Sequence, residues 1–409
     1  MSYYPEKING FSLDFFRSRP CLSGYAGLYL SSAFRSLGMS LIGLFIPLYI
    51  LKLTGHIVYV FLFFALYHFW VIVSDYPVAW LVRKWGIDWL SFLGSLARAG
   101  FIFLFLQAEA QPVFLWPATF LWGLTVTATW LPFHYAFTIA ENMDGKYGRE
   151  VSQLQIVNKI TGLAGPLAGG VIIASLGFRP LFALALVLIA ISGLPLFFDT
   201  INAKGMRLSF KKIKGHLFRK DRSRFWLSFA GGELETAVLG LAWPLFIFLL
   251  VESYETLGLI KSLAALVSVA LFWFVGRWID KKGKSILYLG TLINSFNILL
   301  RAFLSNPFGL FLVDSVYDFT AGLVTTPFDS AFYEKAREMR RLEFMVEREF
   351  IIHFFGMLAC LLLSLLFLFE VAWFWIFALG VVGVLMRGLI ISQEEEPWWQ
   401  KVKRRILGR

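Results

Sequence analysis

Twelve apolar stretches, each about as long as a bilayer is thick, follow one another along this chain between short polar breaks. A helix needs roughly 20 apolar residues to cross the hydrocarbon core, because each residue adds only about 1.5 Å of rise. The stretches run approximately over 25–51, 57–82, 87–107, 112–140, 150–175, 178–198, 224–251, 255–279, 285–304, 306–333, 347–369 and 371–391. Hydrophobic residues make up 58% of the chain and charged residues 16%, against about 45–50% and about 25% in a soluble domain. No soluble core could hide that much apolar surface. The chain is therefore expected to be an all-α integral membrane protein with twelve transmembrane helices.

The two halves repeat one plan. Pro47-Leu48-Tyr49-Ile50 returns as Pro244-Leu245-Phe246-Ile247, and Arg83-Lys84-Trp85-Gly86 returns as Asp280-Lys281-Lys282-Gly283, both 197 positions later. Two landmarks at one offset inside apolar segments are what a duplicated helix bundle leaves behind. The expected divisions are a cytoplasmic segment 1–24, a six-helix bundle 25–198, a linker 199–223, a second six-helix bundle 224–392 and a basic tail 393–409.

Residues 1–24 lack a short apolar stretch ending in a small-residue cleavage site, so the first helix is expected to anchor the protein. Only Cys21 and Cys360 are present, and neither suggests a disulfide framework or a metal site. If the N-terminus is cytoplasmic, the outward loops carry only Lys52 and Arg179, while every inward segment is rich in Lys and Arg. That bias puts both termini in the cytoplasm, and the compact loops suit a bacterial inner membrane. The net charge of +11 then needs no nucleic-acid partner, because anionic lipid of the inner leaflet attracts it. In the linker, Lys211, Lys212 and Lys214 with Phe210, Ile213 and Leu217 would suit either a short amphipathic helix on the headgroups or a solvated tether.

The turn after the eighth stretch reads Gly276-Arg277-Trp278-Ile279-Asp280-Lys281-Lys282-Gly283-Lys284. It resembles the loop signature of the major facilitator superfamily: a glycine, an acid four residues on, then a basic residue, a glycine and more basic residues. Gly276 would allow close helix approach, Asp280 could pair with a cation or a helix N-terminus, and Gly283 would end the helix. Together with Arg277, Lys281 and Lys284 they would form a gating loop. The first-half copy departs from the signature, with Ala79 and Arg83 where the glycine and the acid should stand before Gly86. Asp75, two turns earlier, is a possible substitute acid. The fifth stretch carries Gly165-Pro166-Leu167-Ala168-Gly169-Gly170. This is similar to an exporter signature of the same superfamily, and equally to a helix kink where small residues let backbones pack.

Charges at bilayer depth cost at least a few kcal/mol unless they face a cavity or a partner, so they are the best site candidates. Arg35, His68, Arg98 and Glu235 fall near the midplane of their stretches, and Asp314 and Asp318 lie one turn apart on one face. The resemblance implies that the first, fourth, seventh and tenth helices line a cavity. That would place Arg35, Glu233, Glu235, Asp314 and Asp318 in or near it. Glu235, Asp314 or Asp318 could carry a proton, with Arg35 and Arg98 as counter-charges; such a carboxylate could equally sit in a static ion pair that fixes helix register. Trp130 and His134 share a helix face and could wall an aromatic or sugar-like solute, or simply pack. Lys159 and Arg301 are secondary candidates.

The chain has no Gly-rich phosphate loop, no His-Glu-x-x-His and no Gly-x-Ser-x-Gly, so neither an enzyme nor a bound cofactor is expected. The resemblance implies a secondary transporter, usually monomeric, that moves a small solute by alternating access, driven by protons or another coupling ion. A transporter-like receptor or scaffold without a transport cycle, or a lipid scramblase, is the alternative.

Overall fold

The computed structural model describes residues 26–139, 162–195, 208–217, 223–282, 286–338 and 341–391. Within them, side chains at 26–29, 87–88, 132–139, 216–217, 270–282, 326, 330–331, 333–338, 341 and 391 are left aside. The segment 1–24, most of the linker and the tail 393–409 lie outside the described residues.

All the described secondary structure is helical, arranged as twelve rods in two pseudo-symmetric bundles. Spans 2, 3 and 4 are Ile57–Trp85, Ile87–Ala108 and Leu115–Ile139. Span 5 is described as Gly165–Leu176 and span 6 as Phe178–Ser192. Span 8 is Tyr254–Lys282, span 9 Ile286–Leu300, span 10 Pro307–Glu338, span 11 Arg341–Leu368 and span 12 Trp373–Arg387. Among the described residues, eight rods are long and apolar enough to cross a membrane on length and composition alone. Large apolar side chains such as Phe296, Leu292, Phe103 and Leu365 stay exposed on the outside. That is the surface a protein presents to lipid, where tails solvate leucine as well as a neighbouring helix does.

Spans 1 and 7 are each interrupted, and at equivalent places. Span 1 runs as Ala26–Ile42, turns, and resumes as Ile46–Thr54. Span 7 runs as Ser223–Thr236, widens into a π turn over Ala237–Ala242, and resumes as Trp243–Val251. The repeated Pro47 and Pro244 open the second segment of each rod. Proline has no N–H to give and its ring crowds the carbonyl four residues back, so each copy loosens the turn before it. One sequence landmark thus makes one irregularity twice.

The bundles meet along two antiparallel seams. Spans 5 and 8 cross on glycine: a Cβ on Gly170 would strike the Tyr254 carbonyl, and one on Gly258 would strike the Pro166 carbonyl. Backbone thereby touches backbone, and the Leu167 N–H donates to Ser262 Oγ at 2.9 Å. On span 5's other face Gly165 abuts Ser40, and Gly169 abuts the Leu41 carbonyl and the Phe45 ring of span 1. The Gly-Pro-x-x-Gly-Gly element is therefore a two-sided packing surface. Spans 2 and 11 run past each other from Phe61 stacked on Phe367 (ring centroids 5.2 Å apart) to His68 facing His353. A duplicated plan requires both seams, because the repeat maps spans 2 and 11 onto spans 8 and 5.

The linker contains a short helix over Phe210–Leu217, and it packs on the protein. Its Phe210 ring sits edge-on to Tyr76 of span 2 at 5.1 Å, and Ile213 is buried in a core shared with spans 2, 4, 10 and 11.

Gly170→Leu and Gly258→Leu are each expected to force the span 5 and span 8 seam apart, at about 1–3 kcal/mol of overpacking. Gly215→Ala, where nothing lies within 4 Å of the added methyl, is the control. Thermal unfolding in detergent should drop for the two leucine variants and not for the alanine.

Candidate functional site

The first bundle borders an open cavity of about 570 Å³. Span 1 contributes Arg35, Ser36, Met39 and Ser40, and span 3 contributes Arg98. Tyr67 of span 2 and Trp122, Val126 and Trp130 of span 4 supply the aromatic and apolar wall. Local sequence explains how the arginines arrive. Gly94 has no Cβ to hold off Ala128 and Thr129, so span 3 closes on span 4, and one turn later Arg98 Nη2 donates to Thr129 Oγ1 at 3.2 Å. Arg35 Nη2 donates to Ser32 Oγ at 3.2 Å, and its guanidinium lies 4.4 Å from the centroid of Trp130. Tyr67 and Trp122 pack with ring centroids 4.8 Å apart.

The second bundle treats its charges differently. Glu235 Oε1 accepts from Tyr317 Oη at 2.6 Å and Glu235 Oε2 from Arg387 Nη1 at 3.1 Å. Arg387 also donates to Thr325 Oγ1 and lies over the Phe328 ring. Asp314 is held by Lys261 Nζ at 2.8 Å, Arg301 Nη1 at 3.0 Å and Trp243 Nε1 at 2.7 Å. Arg301 is almost fully buried, lies over the Trp243 and Tyr317 rings, and shares the Val313 carbonyl with Asn297. Each carboxylate is therefore part of a closed network.

A third cluster lies on the seam of spans 2 and 11. His68 Nδ1 and His353 Nδ1 are 2.8 Å apart, both buried, and the His68 ring occupies the notch left by Gly356. His353 Nε2 lies 3.5 Å from Glu349 Oε2, and Glu349 pairs with Arg348. Two turns along span 2, Asp75 is buried within electrostatic reach of Arg348 and Glu349, and neither of its oxygens has a hydrogen-bond partner among the described residues.

Several expectations change. Arg35 and Arg98 are not the counter-charges of Glu235 and Asp314; they belong to the other bundle, and Arg387, Lys261 and Arg301 take that role. Asp75 does not stand in for the loop acid, because it is buried between helices while Arg83 is exposed at the helix end. Gly86 does end span 2, with φ +91° and its N–H bonded to the Val82 carbonyl. Glu233 is half-buried, and electrostatically it reaches Tyr67 as well as Arg348, Glu349 and Arg387. Asp318 is half-buried on span 10, where its carbonyl accepts from Ser268 Oγ at 2.9 Å. His134 and Gly276, Arg277, Asp280 and Lys281 lie on described helices with side chains left aside, and Lys159, Gly283 and Lys284 lie outside the described residues.

Sequence reasoning did not select Tyr67, Trp122, Arg387, Tyr317, Lys261, Arg348 or Glu349 as site residues. Arg387 carried a usable signal as a lone cation near the end of an apolar stretch. The aromatics carried none, since 18% of the chain is aromatic.

The family model for the Major Facilitator Superfamily matches residues 28–342. No curated protein sequence matches the chain. Solved structures resemble it closely in fold despite low identity. The Escherichia coli fucose:proton symporter FucP aligns with TM-score 0.65 at 11% identity, over 90% of this chain and 98% of that one. The nucleoside transporter NupG gives 0.65 at 12%, over 90% and 100%. The human organic anion transporter MFSD10 (TETRAN) gives 0.66 at 12%, over 89% and 97%. At such identities the likeness shows a shared fold.

Removing one member of a buried ion pair strands its partner, at about 3–5 kcal/mol, whereas replacing both with apolar groups is nearly neutral. Glu235→Gln and Asp314→Asn should each lower the unfolding temperature in detergent by several degrees. Glu235→Gln combined with Arg387→Met should recover a large part of the first loss.

Proposed function

The chain belongs to the Major Facilitator Superfamily, and on that premise we propose that its first-bundle cavity is the solute site of a transporter that works by alternating access. The observation that carries this reading is the cavity itself. Two guanidiniums, aromatic rings and serine hydroxyls converge on one space deep in a membrane protein, where polar groups are retained only at a cost. A space of about 570 Å³ matches a small organic solute.

The geometry supports the rocking that alternating access requires. Both seams between the bundles are helix pairs running antiparallel, so tilting one bundle opens each seam at one end while the other end holds. The distribution of Lys and Arg supports both termini on the cytoplasmic side.

We assign proton coupling to the His68 and His353 pair rather than to Glu235 or Asp314, which are held by several donors each. With one proton between the facing nitrogens the pair is a hydrogen bond across the seam. A further proton on the accepting nitrogen makes both facing nitrogens donors, so the bond is lost and an imidazolium faces the other ring's N–H. Arg348 lies on the same seam and adds to that repulsion, while Glu349, 3.5 Å from His353 Nε2, and Asp75 oppose it. Protonation would thus loosen the seam of spans 2 and 11. The shared fold with a fucose:proton symporter is compatible with such a cycle.

A panel of sugars, nucleosides, aryl acids and organic cations, screened by melting shift, identifies a solute for uptake into proteoliposomes. Saturable uptake that Arg35→Gln and Arg98→Gln abolish is expected; uptake indifferent to both moves the solute site elsewhere. For His68→Gln and His353→Gln, accumulation driven by a pH gradient should be lost while exchange of labelled for unlabelled solute persists. Accumulation equal to the parent protein's would remove the histidine pair from coupling.

A further inference from the structure

We infer that the cavity selects organic anions, specifically an acid oxyanion carried on a flat apolar body such as an aryl carboxylate. The inference rests on the reading of this cavity as the solute site and adds its chemical class.

Charge is the first ground. Arg35 and Arg98 are 9% and 4% exposed, both line the same space, and they are near enough to repel each other electrostatically. Among the described lining residues there is no Asp or Glu. Arg98 commits one nitrogen to Thr129, while its buried Nε has no hydrogen-bond partner among the described residues. Away from water such a donor is costly unless a ligand or water meets it, and a second cation nearby raises the cost. An oxyanion in the space relieves the second cost, because it lies between two positive groups that otherwise oppose each other. The planar guanidinium fork suits carboxylate, sulfonate or phosphate oxygens, which it can engage by paired hydrogen bonds.

Shape is the second ground. Trp122, Trp130 and Tyr67 line the rest of the space with Met39 and Val126, a wall suited to a flat ring. Arg35 already lies on the Trp130 face, so the indole positions the cation while the remaining aromatic surface accepts the solute body.

The test uses the full-length protein and three probes of one shape: 2-naphthoate, 2-naphthylmethanol and 2-naphthylmethylamine. The acid is expected to bind at least about tenfold more tightly than either of the others, since a hydrogen bond to a charged group is worth that much or more. Arg98→Gln should weaken 2-naphthoate about tenfold to a hundredfold, and Arg98→Lys less, because charge is kept and the fork is lost. Equal or tighter binding of the alcohol or the amine to the unaltered protein overturns the inference, whether or not any variant folds. Flux of the same probes in proteoliposomes separates the two readings. Acid binding without saturable flux retains the anion site and removes transport; saturable flux of the alcohol or amine with no acid binding retains transport and removes the anion class. Measurements in nanodiscs of phosphatidylcholine and of phosphatidylglycerol distinguish a dissolved acid from a lipid headgroup. Unchanged 2-naphthoate affinity is expected, and its loss in phosphatidylglycerol would put the headgroup in the cavity and overturn the assignment to a solute.

Discussion

A charge carried below the membrane surface has to find a partner, and this molecule answers that requirement in two ways. In the second bundle the answer is internal: Glu235 is tied to Arg387 and Tyr317, and Asp314 to Lys261, Arg301 and Trp243. In the first bundle two arginines border a cavity instead. The duplicated plan is thus symmetric in backbone and asymmetric in charge. One bundle resembles a rigid support and the other a receptacle.

The seams between the bundles follow from a related constraint. Lipid tails are as apolar as leucine, so helices in a membrane gain little from burying large hydrophobic residues against each other. They gain from close backbone approach and from polar groups that meet across the contact. Spans 5 and 8 use the first device, with Gly170 and Gly258 each seated on the other helix's carbonyl. Spans 2 and 11 use the second, with His68 against His353. A glycine seam slides or tilts without changing its chemistry, whereas a histidine seam changes when a proton arrives. The two seams are equivalent by the repeat and differ in what controls them.

The fold was legible from composition and the repeat. Pro47 and Pro244 marked equivalent rods and proved to mark equivalent irregularities, because proline's effect on a helix is local and travels with the residue. Arg35 and Arg98 could be selected as charges at bilayer depth, yet nothing linear showed that they share one space, since they stand on different helices 63 positions apart. The assumed pairing of those arginines with Glu235 failed for the same reason. Pairing depends on which faces of which helices meet, and depth along a helix says nothing about azimuth.

The sequence by itself determined that the chain crosses a membrane many times, in two related halves, with charges that had to be sheltered. Each of these depends on local quantities: apolar length, residue identity at a repeated offset, and the cost of desolvating a charge. Only the tertiary structure decided which charges neutralise one another, which border a cavity, and that a histidine from each half meets at the seam. Those outcomes depend on how helices distant in sequence rotate and pack, and side-chain contacts on a rod of 3.6 residues per turn change completely with a rotation of about 100°.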